Sequence, residues 1–292
     1  MFVSLTIAAA VAASGPASVA EWRTACAGKD GFSDLAPPLH VFANIHDVGT
    51  CGITVLLITS PRGHVLLDAA TAEAAPSIAA NIERLGFKLS DVKLIGASHE
   101  HYDHVGGIAE LQKRTGATLM AMPSAYVQLQ TGTLDKNDPQ FGSIAPFPAA
   151  NVGIMLRDGF DVFQGGMRLT SWATPGHAPG STSWTWRSCE DKRCVNVVYA
   201  DSVGAVSADG YRFSDHKAYV RAFRESLKFI GRMRCDLLIT PHPGASNFID
   251  RLDGKAPLIG PGQCAAYAAN GRAALDARLA KEQSSPARGG GP

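Results

Sequence analysis

Ser98-His99-Glu100-His101-Tyr102-Asp103-His104 packs four groups able to bind a metal into six positions. The stretch follows the apolar, strand-like run Val92 to Ala97 and precedes Gly106-Gly107, where a helical run to Arg114 begins. Alternate side chains of extended or turning backbone share a side. His99 and His101 are therefore placed to face one ion, while Asp103 and His104 turn toward a second. Neutral imidazole and carboxylate are ligand types that zinc accepts. A lone histidine is usually a surface or packing residue, but three histidines and an aspartate at this density read as a metal site.

Two later histidines join that reading. His177 lies in Thr174-Pro175-Gly176-His177-Ala178-Pro179-Gly180, after one strand-like run, and His242 lies between Pro241 and Pro243, after another. Proline restricts the backbone, so a ligand on such a loop loses little entropy on binding. The candidate ligands are then His99, His101, Asp103, His104, His177 and His242, enough for two ions with three protein ligands each. Three ligands leave coordination positions open, which marks a catalytic zinc, whereas structural sites are closed by four. His40, His46, His64 and His216 have no ligand-like company and read as surface or packing residues.

Outward from the motif, the pattern alternates strands and helices. Val41 to Ile45, Ile53 to Thr59 and His64 to Leu67 read as strands, and Glu73 to Leu85 as a helix closed by Gly86. A strand from Ala117 to Met122 is followed by residues 132–151, rich in Pro, Gly and Asp, which read as a long loop. Long loops in compact domains often cover active sites, so Gln140 and Phe141 are candidate substrate contacts. The second half offers strands at Met167 to Thr174, Thr182 to Arg187, Val195 to Ala200 and Asp236 to Thr240. Helices are expected at Lys217 to Gly231 and Gln263 to Lys281. This order predicts an α/β protein in which two mixed β-sheets pack together with helices outside. Residues 21–282 read as one domain and 283–292 as a disordered tail.

Composition narrows the function classes. With 292 residues, 46% hydrophobic and 18% charged, the chain is no disordered, collagen-like or coiled-coil protein. Its 27 Lys+Arg against 26 Asp+Glu leave a net charge of +1 without a basic run, so no nucleic-acid surface is expected. Residues 1–20 are uncharged, apolar and then small, and read as a secretory signal peptide cleaved after Ser18-Val19-Ala20. The apolar run is too short for a bilayer of ~30 Å, so no membrane association is expected after its removal. Six cysteines suit export to the periplasm. Their spacing suggests local disulfides, Cys26 with Cys51, Cys189 with Cys194 and Cys235 with Cys264. No C-x-x-C pair supports a thiolate zinc site instead.

The constellation resembles the metallo-β-lactamase superfamily, whose H-x-H-x-D-H signature is matched by His99 to His104. Thr174 to Trp186, Tyr199-Ala200-Asp201-Ser202 and Thr240 to Ser246 look like its subclass B3, and the cysteine pairs like a disulfide-rich branch of that subclass. The resemblance covers about residues 26 to 280. It implies a four-layer αβ/βα sandwich and two Zn2+ per chain. His99, His101 and His177 would bind one ion, and Asp103, His104 and His242 the other. Ser202, where another subclass has a cysteine ligand, becomes a substrate contact. Relatives often place a hydroxyl residue where this chain has Gly204, and Ser202, a water or Ser207 would compensate. Asp68 would orient a ligand histidine or cap a strand end. Asp201 would do the same, whereas glyoxalase II-type hydrolases use a nearby aspartate to bridge both metals. The implied activity is zinc-dependent hydrolysis of the β-lactam amide in penicillins, cephalosporins and carbapenems by a monomer, conferring resistance. Asp103, His99, His101 and His177 would be its catalytic centre. No serine-nucleophile signature, G-x-S-x-G or S-x-x-K, is present. The alternatives are another hydrolase of this fold, acting on lactones, thioesters or phosphoesters, and a zinc-buffering protein without catalysis.

Overall fold

Leu56, Leu57 and Ile58 are all fully buried, yet they belong to two different cores. Successive strand residues point to opposite faces, so a continuous apolar run requires both faces to be covered. The computed structural model describes residues 14–284 and bears this out. Seven strands form the first sheet in sequential order: β1 (Leu39–Phe42), β2 (Ile45–Asp47), β3 (Leu56–Ile58), β4 (His64–Leu67), β5 (Val92–Gly96), β6 (Thr118–Ala121) and β7 (Val152–Met155). Neighbours are antiparallel up to β4 and parallel beyond it. The second sheet has the order β12-β11-β10-β9-β8, from β8 (Phe160–Gln164), β9 (Met167–Ala173), β10 (Thr182–Glu190), β11 (Arg193–Tyr199) and β12 (Leu237–Ile239). Only the β11–β12 pair is parallel in this sheet.

The inner faces meet through Leu56, Ile58, Val65, Leu67, Trp184, Val197 and Tyr199. Leu57, Leu66, Ile95 and Leu119 turn outward and are covered by α2 (Ala75–Arg84), α4 (Ile108–Thr115) and α5 (Pro123–Thr131). Val198 and Leu238 are covered on the opposite side by α6 (Lys217–Ile230) and α8 (Gln263–Ser284). The result is the four-layer sandwich expected from the sequence. The shorter helices are α1 (Val19–Ala25), α3 (Tyr102–Val105) and α7 (Phe248–Leu252).

Several local readings change. Val41 to Ile45 is a hairpin rather than one strand, turning at Ala43 with φ 49°. Val41, Phe42 and Ile45 of its two arms all enter the core between the sheets. The helix α5 and the edge strands β7 and β8 escaped the sequence pattern because they present few strictly periodic apolar positions. Residues 1–13 of the expected signal lie outside the described residues. The remainder of that segment is packed: Gly15 N donates to Arg84 O at 2.8 Å, Ala17 bridges Leu39, and Ser18 forms a capping box with Glu21 at the start of α1. The last helix runs through Ser284, so the first two residues of the expected tail are helical. All three expected disulfides are present, with Cys189 and Cys194 facing each other across the β10–β11 hairpin. Among the described residues no helix is long and apolar enough to cross a membrane.

Candidate metal centre

The carboxyl ends of five strands open onto one edge of the sandwich, where α/β proteins commonly bind ligands. Asp68 follows β4, the His99–His104 loop follows β5, His177 follows β9, Asp201 follows β11 and His242 follows β12. Bonds between the sheets hold these loops in place. Thr182 N donates to Ser98 O at 2.6 Å, and the buried Trp184 donates its indole N–H to Ala97 O at 3.0 Å. Ser183 Oγ accepts from Asp201 N at 3.1 Å and lies 2.9 Å from Thr174 Oγ1. Truncating a core tryptophan such as Trp184 costs about 3–5 kcal/mol. Gly107 completes the support, because a Cβ there would lie 2.3 Å from Ala69 O.

Two groups of ligand atoms result. His99, His101 and His177 offer nitrogens that all lie within 4.8 Å of one another. Asp103 Oδ2 lies 3.2 Å from His104 Nε2 and 3.5 Å from His242 Nε2, and those two nitrogens are 3.2 Å apart. His99 is also within 4.8 Å of Asp103 and His104, so the two groups adjoin. Zinc–nitrogen bonds of about 2.0–2.1 Å at tetrahedral angles put ligand atoms about 3.3 Å apart. The second group matches that spacing.

Each imidazole is held by the nitrogen that faces away from the cluster. His99 Nδ1 pairs with Asp201 Oδ1 at 2.8 Å, His104 Nδ1 with Asp68 Oδ2 at 3.2 Å, and His177 Nδ1 donates to Gly204 O at 2.9 Å. His242 Nδ1 lies 3.3 Å from Gly52 O, and His101 uses Nε2, 3.1 Å from Asp138 Oδ2. Such outer partners fix the tautomer and leave the inner lone pair for a metal. His99 Nε2 is buried without any partner, a costly state that a metal bond would relieve. The donor set fits zinc.

The electrostatics suit cation capture. Burial, with His101 nearby, pushes His177 down to about 3, and burial with His104 nearby pushes His242 down to about 4. Burial likewise holds His99 well below the usual histidine range. These imidazoles stay neutral, the form that binds metal. Burial opposes charge on both Asp103 and His104, but their attraction wins: Asp103 is held well below the carboxylate range and His104 raised to about 10. Asp68 has φ 66°, a left-handed conformation that non-glycine residues adopt at a cost. From there its carboxylate accepts from Ser98 N, Ser98 Oγ and the Tyr199 hydroxyl as well as facing His104.

The remaining sequence candidates fall as follows. Gln140 Nε2 lies 3.4 Å from His101 Nδ1 and 3.3 Å from His177 Nε2, directly against the first group. Phe141, the next residue, is exposed, and Ser202 is partly exposed beside Asp201. Ser207 is not free to compensate for Gly204, because its hydroxyl is engaged by Arg278 at 2.7 Å and Tyr211 O. Asp201 sits behind His99, against the nitrogen pointing away from the cluster, so it is not placed to bridge two ions. Sequence reasoning missed Asp138, a buried carboxylate behind His101, and Phe32, whose exposed ring lies 5.4 Å from that of His242. Neither sits in a local pattern that would mark it. Glu100 points away from both groups, accepting from Gly180 N at 2.8 Å, and burial pushes its carboxyl up to about 8.

Comparison with known proteins agrees with this geometry. The profile of the metallo-beta-lactamase superfamily matches residues 48–242. The metallo-beta-lactamase MIM-1 from Novosphingobium pentaromativorans superposes with a TM-score of 0.88 at 48% identity, over 90% of this chain and 98% of that one. MEM-A1, a subclass B3 metallo-beta-lactamase from a soil metagenome library, gives 0.84 at 38% identity, over 87% of this chain and 99% of its own. A hydroxyacylglutathione hydrolase of Rhodopseudomonas palustris (strain BisB5) is 29% identical over 155 residues, 53% of this chain. The chain spans about half the length of that curated relative, 51%.

Proposed function

This chain belongs to the metallo-β-lactamase superfamily, and from that membership we propose that it is an exported, zinc-dependent hydrolase of the β-lactam amide bond. The observation that carries the proposal is the pair of adjoining ligand groups at one open edge, in a chain similar over most of its length to subclass B3 enzymes. We read residues 21–282 as one catalytic domain and the N-terminal segment as an export signal to the periplasm. The three disulfides support an oxidising compartment.

His99, His101 and His177 would hold one zinc ion, and Asp103, His104 and His242 a second. Zinc supplies a Lewis acid for the amide carbonyl and makes hydroxide available near neutral pH. The chain's own residues supply position. Burial keeps His99, His177 and His242 neutral, and their outer hydrogen bonds leave the inner nitrogens as lone pairs, whereas the proton that Asp103 holds on His104 would leave as a metal binds. Asp103 keeps its side chain 15% exposed, so it offers an incoming water a charged acceptor that orients it for attack. Gln140 carries an amide donor at the edge of the first group, suited to a carbonyl or carboxylate oxygen of the substrate. Ser202 and Phe141 are further proposed substrate contacts on the flanking loops.

The test is absorbance loss of a carbapenem and a cephalosporin with purified protein, with and without EDTA, beside a His101→Ala variant. Rapid loss that EDTA and the substitution abolish, and that clavulanate leaves intact, is the expected result. No loss from a protein shown to hold zinc overturns the β-lactam assignment and directs the search to lactones and thioesters.

A further inference from the structure

The strand ends opposite the ligand cluster carry a second concavity. Where α6 ends, the outer face of the second sheet is uncovered and forms a groove of about 720 Å3. That is within the range of roughly 300–1,000 Å3 for small-molecule sites. Thr170 and Trp172 of β9 and Thr185 and Arg187 of β10 line it, with Phe229 of α6 across from them. The rings of Trp172 and Phe229 lie 5.0 Å apart at 56°, and Trp172 Nε1 donates to Thr185 Oγ1 at 2.9 Å, which fixes the indole.

Charge distinguishes this groove from an ordinary apolar depression. Arg168, Arg187, Arg232 and Arg234 line it and no acidic residue does, although the chain as a whole is nearly neutral. Arg168 is paired with Asp161 at 2.8 Å, and Arg234 feels the charge of Asp236. The guanidinium groups of Arg187 and Arg232 make no hydrogen bond or ion pair among the described residues. Unpaired guanidinium groups beside aromatic rings form a receptor for a planar acid, since guanidinium binds carboxylate or sulfonate bidentately while the rings cover an apolar body.

We propose that this groove binds an amphiphilic organic anion: an aromatic ring system that rests on Trp172 and Phe229 and an acid that pairs with Arg187 and Arg232. The site is separate from the metal centre and does not depend on the reaction performed there. A simple inorganic anion would leave the aromatic surface uncovered, and a neutral apolar ligand would leave the arginines unpaired.

The test is a fluorescence titration of the zinc-loaded protein with 8-anilinonaphthalene-1-sulfonate, using Arg187→Glu, Arg232→Glu, Arg187→Lys and, as a control at the metal edge, Phe141→Ala. Saturable binding of one dye per chain is expected. Either charge reversal should weaken it at least tenfold, Arg187→Lys should weaken it less, and Phe141→Ala should leave it unchanged. Circular dichroism and sedimentation of each variant accompany the titration. Absence of saturable binding, or binding that neither reversal alters, overturns the proposal. So does a dimer of this chain that Arg187→Glu dissolves, because the groove is then a subunit contact.

Discussion

Replacing Asp138 by asparagine tests the link between the outer hydrogen bonds and metal capture. Asp138 is buried, with Oδ2 3.1 Å and Oδ1 3.3 Å from His101 Nε2, and Oδ1 also accepts from Gln140 N at 2.7 Å. Asparagine has nearly the same shape but only one acceptor oxygen. If that oxygen keeps the Gln140 N–H, the amide nitrogen faces His101 Nε2 and forces it to become an acceptor. The ring proton then moves to Nδ1, the nitrogen turned toward the cluster, and occupies the lone pair a metal needs. Losing a hydrogen bond to a charged acceptor costs about 1.5–3 kcal/mol, which is roughly 10- to 150-fold in an equilibrium constant. That agrees with the roughly 10- to 100-fold loss typical when the partner of a ligand histidine is removed. Competition for zinc against a chromophoric chelator measures the effect, with Asp135→Asn as the control. Asp135 lies on the same loop and is exposed, and its side chain bonds only to Asn137 among the described residues. Zinc affinity of Asp138→Asn within threefold of the parent would refute the reasoning.

Three other outcomes follow from the structure. A Cβ at Gly204 would meet Val206 at 3.4 Å and His177 at 3.9 Å, ordinary contact, so Gly204→Ser adds a hydroxyl beside the metal centre without displacement. One added hydrogen bond predicts a KM for carboxylate-bearing β-lactams roughly 2- to 10-fold lower at similar kcat, and an unchanged KM counts against a carboxylate lying there. Loop-closure entropy makes the Cys235–Cys264 bridge, separation 29, worth about 3.5 kcal/mol and Cys189–Cys194, separation 5, about 2 kcal/mol. Urea unfolding of the two double alanine variants should rank them in that order. Burial, with His40 and His64 nearby, pushes His46 down to about 4, so the unfolded chain takes up its proton first. Stability from this residue is therefore complete above about pH 6.5 and lost as pH falls toward 4. A His46→Gln variant should show a flatter urea midpoint over that window, and an identical slope rules out the assignment.

Much of the fold was legible because the signals are local. Continuous apolar runs such as Leu56-Leu57-Ile58 announce strands covered on both sides, and Phe223, Leu227 and Ile230, with the partly buried Val220, mark one face of α6. The density of His99 to His104 announces a metal site for the same reason: four donors within six residues cannot avoid one another. Gln140 was found through loop length, a weaker signal that tertiary packing then gave a place against His101 and His177. Where signals were weak, as at the edge strands β7 and β8, a half-exposed strand buries too little to need strict alternation.

The chain by itself determined the layers, the disulfide pairs and the cluster of donors, because each follows from spacing along the backbone. Tertiary structure decided what stands behind the donors. Asp138 lies 37 residues from His101, and Asp201 lies 102 residues from His99, yet each touches its partner's outer nitrogen. No local pattern separates Asp138 from the exposed Asp135 nearby, since only the fold says which carboxylate is brought against an imidazole. The same holds for the arginine-lined groove: Arg187 and Arg232 converge because a strand and the end of a helix meet, at a distance the sequence does not encode locally.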